Sequence, residues 1–188
     1  MTDMQNVLYK GRPADEAGRL DKELRVYDFL DELGIEYDCV DTEPAETMEV
    51  CAEIDKILAP AVICKNLFLC NRQKTQFYLL MIKNDKKFKT KEISGQLGVA
   101  RLSFADAEFM EEYLDIEPGA VSVMGLMNDT ENHVRLIVDE DVLDAEYFGC
   151  HPCVNTSSIA FSMADFLEKF LPAAGHQITF VSLPWEVE

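Results

Sequence analysis

The chain has 188 residues, 48% of them hydrophobic, and a formal net charge of −18. That length favours one domain with one substantial core, and no run of 18 or more uncharged apolar residues could span a membrane. The first residues have neither the basic start nor the apolar stretch of a signal peptide, so a cytoplasmic protein is expected.

Hydrophobic periodicity and turn residues divide the chain into short helices and strands. The clearest signal is a helix whose apolar residues recur at steps of three and four before Gly34, a typical C-cap residue. Thr90 is predicted to cap another helix, and Asn128-Asp129-Thr130 to turn a hairpin. In chain order the predicted elements are helix 20–33, strand 36–40, helix 48–58, strands 62–69 and 77–82, helices 90–97 and 105–114, strands 120–127 and 133–138, strand 156–161, helix 163–171 and strand 178–183.

These elements indicate the fold class. Helices and strands are intermixed, but consecutive strands are often joined by short turns, which favours a mixed, mostly antiparallel sheet over a doubly wound parallel one. The sequence therefore predicts one compact α+β domain with packed helices over residues 15–188. A flexible tail is predicted over residues 1–14.

Positive charge is concentrated in one part of this acidic chain. Between Lys65 and Arg101 there are nine basic and two acidic residues, a net charge of +7. One interpretation is a solvated lysine-rich turn and helix end. The other is an anchor for phosphates on a surface that otherwise repels nucleic acid.

Two stretches carry possible chemistry, each with a plainer alternative. Lys65 begins an apolar strand; it lies either on an exposed edge or in a cleft, where it would meet an anionic or strongly polar ligand. Gly119–Gly125 is rich in small residues, which let backbone N–H groups approach a ligand and developing negative charge. A simple strand start explains the second stretch equally well.

A third stretch, Cys150-His151-Pro152-Cys153, has a spacing used in disulfide exchange and metal binding. A redox motif of this kind needs its first thiol at a helix N-terminus, whereas the residues after Cys153 predict loop and strand. A dithiol oxidoreductase and a zinc site completed by a remote histidine are the weaker hypotheses. All six cysteines are expected to be reduced thiols.

Five short motifs occur in an order that carries a resemblance. They are Lys65–Leu69, Arg101–Ala105, Gly119–Ser122, Gly125–Leu126, and His151-Pro152 with Asn155-Thr156. Together they resemble the YbaK/prolyl-tRNA-synthetase-associated domain family, specifically its free-standing members, over about residues 20–183. The resemblance implies an α+β domain around a mixed, barrel-like sheet.

Members of that family are aminoacyl-tRNA deacylases, which hydrolyse the ester joining a wrong amino acid to the proline tRNA. The resemblance implies a trans-editing hydrolase for Ala-tRNA(Pro), with Cys-tRNA(Pro) as the substrate in another branch. It implies no cofactor, no metal, no membrane and no DNA. The implied partners are the acceptor end of aminoacylated proline tRNA and, as a further candidate, prolyl-tRNA synthetase.

The resemblance also assigns roles by position. The family's key lysine falls on Lys65, its glycine loop on Gly119–Val123, and the histidine that shapes its amino-acid pocket on His151. The expected catalytic residues are Lys65, Gly119 and Ser122. The expected substrate-binding residues are Asn66, Ala120, Val121, Val123, Gly125, His151 and Asn155. The expected tRNA-binding residues are Lys83, Lys86, Lys87, Lys89 and Lys91.

Two positions depart from the family pattern. Val123 stands where the glycine loop usually carries proline, and it keeps a backbone N–H that proline lacks. Glu43 stands where a histidine often precedes Pro44. These changes leave open an altered specificity, or a paralogue that binds tRNA or an amino acid without cleaving.

Overall fold

The computed structural model describes residues 6–185. Its strands are β1 (Val7–Lys10), β2 (Tyr37–Asp41), β3 (Val62–Cys70), β4 (Phe77–Lys83), β5 (Ser103–Phe104), β6 (Val134–Asp139), β7 (Tyr147–Cys150), β8 (Ser157–Ser162) and β9 (Ile178–Val181). Its α-helices are α1 (Asp21–Glu32), α2 (Met48–Leu58), α3 (Thr90–Leu97), α4 (Ala107–Leu114), α5 (Met163–Asp165) and α6 (Leu171–Ala174). A π-helical turn, Phe166–Phe170, joins α5 to α6, and Val123–Asn128 and Glu140–Asp144 are 3-10 helices.

The strands form one mixed sheet in the order β1-β2-β8-β7-β3-β4-β6-β9, and β5 pairs with β3 beside this path. Among the described strands, five pairings are antiparallel and three, β3–β7, β4–β6 and β6–β9, are parallel. The predicted α+β class with a mixed, mostly antiparallel sheet is confirmed. Over the described strands the sheet does not close into a barrel, because β1 and β9 are its two ends.

Helices cover both faces of the sheet at β4, which is why its apolar run is continuous rather than alternating. Alternate residues of β4, beginning with Phe77, belong to the main core with α1, α4 and the C-terminal helices. The other residues of β4, such as Leu80, pack with Ile93 of α3 in a second cluster. A third cluster joins α2, through Ile54, to β2 and β8.

The predicted hairpin between 120–127 and 133–138 is wrong. Residues Val123–Asn128 form a 3-10 helix, and β6 pairs in parallel with β4 and β9. Ser122 begins that helix, because its Oγ accepts a hydrogen bond from the Met124 N–H at 3.1 Å. A short buried apolar run has no periodicity that separates a strand from a helix, so this error arises from the pattern itself.

Smaller differences lie at element ends. Thr90 is the first residue of α3 rather than its cap, a position that Lys89 occupies. Strands β1, β5 and β7 were not predicted. Of the predicted tail 1–14, residues 1–5 lie outside the described part of the chain, and Val7–Lys10 pair with β2. In the described residues no helix is both long and apolar enough to cross a bilayer.

Candidate active site

A gap in the sheet beside β3 creates the candidate site. One edge of β3 pairs with β4 from Cys64 to Cys70. The opposite edge pairs with β7 only at Val62 and Ile63, and with β5 only at Leu69 and Cys70. Among the described strands none pairs with the second edge between these points. The carbonyl oxygen of Phe68 still accepts the Ala105 N–H at 3.0 Å, so residues 64–67 face an opening where another strand would normally lie.

A cavity of about 330 Å³ lies at this opening. Five of the residues expected to be catalytic or substrate-binding line it, although they come from three distant parts of the chain. They are Lys65, Asn66, Gly119, Val121 and His151. The other lining residues are Ala45, Cys51, Ile54, Ile63, Cys64, Asn84, Cys150 and Ser158. The wall is thus largely apolar, with a few convergent polar groups, as in many small-molecule sites.

Lys65 is half-buried on β3, and its side chain makes no hydrogen bond or ion pair with any residue between 6 and 185. Burial lowers the pKa of its ammonium group, and the charge of Asp85 only partly offsets that effect. A lysine without a partner in a largely apolar cavity favours binding of an anionic or strongly polar group. The cleft interpretation therefore describes Lys65 better than the exposed-edge interpretation.

Asn66 joins β3 to the 3-10 helix across the gap. Its Oδ1 accepts a hydrogen bond from the Val123 N–H at 2.7 Å. Because that N–H can only donate, the side-chain atom facing it must be the amide oxygen of Asn66. The amide nitrogen, Nδ2, therefore points away from Val123. Nδ2 donates to no described residue, and its residue lines the cavity. The N–H that proline would lack at position 123 is therefore the group that fixes the side-chain orientation of Asn66.

The loop before the 3-10 helix needs glycine at one position. Gly119 has φ +94°, which a residue with a side chain rarely adopts. A Cβ there would meet only Asn155 Nδ2, at an ordinary 3.7 Å, so the requirement concerns the backbone and not space. The N–H groups of Gly119 and Val121, both at the cavity, donate to no acceptor in residues 6–185. These two N–H groups are therefore able to donate hydrogen bonds to a ligand.

His151 follows β7 and is half-buried at the cavity wall. Its Nδ1 lies 2.9 Å from the carbonyl oxygen of Ser157 and 3.4 Å from the Ser158 hydroxyl. Burial lowers the pKa of the ring, and the bond to the Ser157 carbonyl only partly opposes this. The ring is therefore neutral at neutral pH, with its proton on Nδ1.

Five of the residues expected to be catalytic or substrate-binding do not line this cavity. Ser122 is fully buried, and its Oγ caps the 3-10 helix. Gly125 packs closely against α4, since a Cβ there would lie 3.0 Å from Leu114 Cβ and 3.1 Å from the Leu114 carbonyl oxygen. Ala120 and Asn155 line a separate cavity on another side of the loop, and Val123 is buried with its N–H engaged by Asn66.

The five lysines expected to bind tRNA differ in their surroundings. The prediction for Lys86 is wrong, because its side chain is 1% exposed and lies 2.6 Å from Asp139 and 2.8 Å from Asp141. Its charge is thereby neutralised inside the fold. Lys83 is half-buried near Trp185, whereas the remaining three are exposed. These three are Lys87, Lys89 and Lys91.

The two thiols of Cys150-His151-Pro152-Cys153 are not arranged for redox chemistry. Cys150 ends β7 and Cys153 lies in the following loop, so neither begins a helix. Burial raises the pKa of Cys150 to about 12, and it also raises the pKa of Cys153. Both are therefore neutral, poorly nucleophilic thiols. In residues 6–185 no three histidine, cysteine, aspartate or glutamate side chains are grouped to hold a metal.

The sequence reasoning missed most of the cavity's apolar wall. Cys51 and Ile54 project from α2, and Ile63 comes from the start of β3. Their pattern is that of ordinary amphipathic packing, so no local signal separates a pocket wall from a core face. Asn84 and Ser158 were missed for the same reason.

Comparison with known proteins agrees with this geometry. Residues 42–169 match the family model of the aminoacyl-tRNA editing domain. The chain is 32% identical over 164 residues to the prolyl-tRNA editing protein ProX of Acetoanaerobium sticklandii, covering 87% of this chain and 99% of that one. It is 30% identical to prolyl-tRNA synthetase associated domain-containing protein 1 of Danio rerio, covering 87% of each chain.

A solved structure described as a candidate trans-editing enzyme for prolyl tRNA synthetase shares the fold. It superposes with a TM-score of 0.63 at 18% identity, over 88% of this chain and 99% of that one. The family resemblance predicted from the ordered motifs is confirmed. With a family match across most of its length, the chain belongs to the aminoacyl-tRNA editing domain family.

Proposed function

We propose that this protein is a trans-editing hydrolase that removes alanine from mischarged proline tRNA. Membership of the editing family makes it an aminoacyl-tRNA deacylase, the enzyme class predicted from the sequence. The observation that carries the finer proposal is the single cavity lined by Lys65, Asn66, Gly119, Val121 and His151. Aminoacylated tRNA occurs in the cytosol, where we place the reaction, and prolyl-tRNA synthetase is a further candidate partner.

The size of the cavity supports a small acyl group. Its volume of about 330 Å³ is at the lower end of ligand pockets, roughly 300–1,000 Å³, and it must also admit part of the terminal adenosine. A synthetase pocket built for proline excludes alanine poorly, because one missing methylene is worth only about 1–3 kcal/mol. A second pocket that admits alanine and rejects the proline ring would supply the missing discrimination.

The polar groups of the cavity support hydrolysis without a protein nucleophile. An aminoacyl ester is already activated, so the site must hold a water and stabilise the oxyanion of the tetrahedral intermediate. We assign the unengaged N–H groups of Gly119 and Val121, together with Asn66 Nδ2, as oxyanion donors. Lys65 would hold phosphate or sugar oxygens of the terminal nucleotide, and the substrate's own 2′-hydroxyl would position the water.

The basic part of the chain supports a path for the tRNA. Alternation along β3 puts Lys65 on the same face as Leu67 and Leu69. Helix α3 packs on that face, since Ile93 and Leu69 belong to one cluster. Lys91 at the start of α3 is therefore on the side of the sheet from which Lys65 projects. We propose that Lys87, Lys89 and Lys91 bind phosphates of the acceptor end.

A deacylation panel tests the proposal. Alanyl, cysteinyl, seryl and prolyl esters of the proline tRNA are incubated with the protein, and released amino acid is followed over the uncatalysed rate. We expect the alanyl ester to be hydrolysed fastest and the prolyl ester not at all. Faster cysteinyl release would change the assigned substrate. Tight binding without release would identify a non-catalytic binding protein.

Replacing Lys65 by Ala tests the site within the same assay. We expect about a hundredfold loss of deacylation, the size typical of misplacing a bound substrate by about 1 Å. Lys10→Ala is the matched control, because Lys10 is exposed on β1 and, among residues 6–185, its ammonium group pairs only with Asp38. Circular dichroism checks that both variants fold. A folded Lys65→Ala protein with full activity would remove the mechanism.

A further inference from the structure

A second cavity, of about 310 Å³, lies behind the loop that carries Gly119, and we call it the rear cavity. Pro118 and Ala120 line the rear cavity, whereas Gly119 between them lines the candidate active site. The first turn of α1 forms another part of its wall, through Lys22 and Glu23. The two cavities therefore share one loop, but no residue lines both of them.

Glu23 is a buried carboxylate in the wall of the rear cavity. Its side chain is only 4% exposed. One of its oxygens, Oε1, accepts hydrogen bonds from Arg19 at 2.6 Å, Tyr27 at 2.6 Å and Ser157 at 3.1 Å. The other oxygen, Oε2, has no hydrogen-bond partner in residues 6–185. All the donors around this carboxylate thus reach the same oxygen.

The free oxygen of Glu23 faces open space. In the described part of the chain, every buried side-chain nitrogen or oxygen has a hydrogen-bond partner. Because Oε2 has none, it is not enclosed by protein, and the cavity that Glu23 lines is where it is open. A carboxylate oxygen can only accept hydrogen bonds, so a ligand that reaches Oε2 must bring a donor.

The buried charges around Glu23 do not balance. Arg19 pairs with Glu23 at 2.6 Å and with Asp41 at 2.5 Å, so one guanidinium serves two carboxylates. A buried carboxylate is stabilised by a positively charged partner more than by a neutral donor. The position beside Oε2 therefore favours a cation.

The rim of the rear cavity adds negative charge. Glu46 and Glu117, from two other parts of the chain, line it and are exposed. Lys22 is the one basic side chain in the described lining, and its ammonium group already lies 3.8 Å from Asp115. With three glutamates and one lysine, the lining side chains carry a formal charge of −2. This charge attracts cations and repels anions.

The shape and the remaining wall favour an organic ligand. Leu20, Ala120 and Val154 give the rear cavity an apolar surface, and its volume of about 310 Å³ is at the lower end of ligand pockets. In residues 6–185 no three histidine, cysteine, aspartate or glutamate side chains are grouped to hold a metal. A cation with a hydrocarbon part thus fits this lining better than a metal ion does.

We propose that the rear cavity binds a small aliphatic diamine in its dicationic form. One ammonium group donates to Glu23 Oε2, and the methylene chain lies against the apolar wall. The second ammonium group lies at the rim with Glu46 and Glu117, so two positive charges match the formal −2 of the lining. The bound diamine contacts Pro118 and Ala120, directly behind the loop whose Gly119 N–H we assign to the oxyanion.

Isothermal titration calorimetry at low ionic strength tests the ligand class, with 1,4-diaminobutane as the probe. Butylamine has the same carbon chain and one charge, and we expect it to bind about fivefold more weakly, since ion pairs with exposed carboxylates are weak. Alanine, whose carboxylate the glutamates repel, should bind more weakly still. Absence of saturable binding of 1,4-diaminobutane, or tighter binding of butylamine or alanine, would overturn the proposal.

Glu23→Gln tests the buried contact. Glutamine keeps Oε1 for the three donors and puts an NH₂ donor in place of Oε2, so we expect at least tenfold weaker binding of 1,4-diaminobutane. Glu168→Gln is the matched control, because it removes one exposed carboxylate that does not line the rear cavity. It should leave the affinity unchanged. Full affinity in folded Glu23→Gln, or equal losses in both variants, would show only general attraction to an acidic protein.

Two rim variants decide the question if circular dichroism shows that Glu23→Gln does not fold. Glu46→Gln and Glu117→Gln change exposed residues, and each should weaken the binding of 1,4-diaminobutane about threefold. Unchanged affinity in both would exclude the rear cavity as the site. These measurements involve no tRNA and no hydrolysis, so their failure leaves the deacylase function intact.

Discussion

At the scale of single residues, the most informative position is Val123, where this chain departs from its family pattern. Its N–H is donated to Asn66 Oδ1 at 2.7 Å, and both groups are buried. Compared with the proline that the resemblance implies at this position, valine allows a hydrogen bond across the gap in the sheet. It orients an amide whose Nδ2 we assign to the oxyanion, so the departure is compatible with catalysis.

Val123→Pro is expected to destabilise the protein by about 1–3 kcal/mol, the cost of leaving Asn66 Oδ1 without its donor. The backbone itself should accept proline. Ser122 has the extended φ and ψ, −153° and 146°, that a residue before proline prefers, and position 123 begins a helix. Urea denaturation measures the change. In an Asn66→Ala background the same substitution should cost much less, and an unchanged cost there would contradict this explanation.

At the scale of elements, a buried ion pair connects two segments that are distant in the sequence. Lys86 lies in the turn between β4 and α3, and Asp139 ends β6. Their ion pair at 2.6 Å is almost fully buried, and Asp139 also accepts the Leu183 N–H at 2.9 Å. This cluster connects the α3 side of the sheet with the chain beyond β9.

Lys86→Met is expected to lower the free energy of unfolding by about 3–5 kcal/mol, because it leaves the Asp139 carboxylate buried without a counter-charge. The neighbouring Lys87 is exposed and supplies a matched control. Lys87→Met should change stability by no more than about 0.5 kcal/mol. Chemical denaturation of the two variants measures the difference. Equal stability would mean that the pair contributes nothing to the fold.

At the scale of the whole molecule, charge is distributed very unevenly. The chain carries −18 in total, yet the stretch from Lys65 to Arg101 carries +7. Phosphates are repelled by most of the surface and attracted near α3. Binding of tRNA is therefore expected to be local to the acceptor end and sensitive to salt, since surface charges are screened within about 10 Å at 0.1 M ionic strength.

Lys87→Gln and Lys91→Gln should each weaken tRNA binding and reduce the slope of log K against log salt by about 0.7–0.9, the value for one lost phosphate contact. Lys169→Gln is the control, because Lys169 pairs with Asp165 at 3.2 Å outside the basic stretch. Fluorescence titration of proline tRNA at several salt concentrations gives the slopes. Identical slopes for all three variants would exclude this surface as the tRNA site.

The sequence by itself determined the family, the α+β class and five of the cavity residues. It could do so because order and residue type along the chain carry that information: a lysine in an apolar strand, a glycine that needs positive φ, a histidine before proline. Periodicity likewise located α1, α2, β3 and β4, whose apolar patterns are long and regular.

Only the tertiary structure decided how those residues work. Three features depend on residues more than thirty positions apart: the gap beside β3, the hydrogen bond between Asn66 and Val123, and the burial of Lys86. Local patterns do not encode such contacts, because they depend on how all elements pack at once. For the same reason the 3-10 helix was predicted as a strand. A short apolar run is compatible with either structure, and the packing around it determines which one forms.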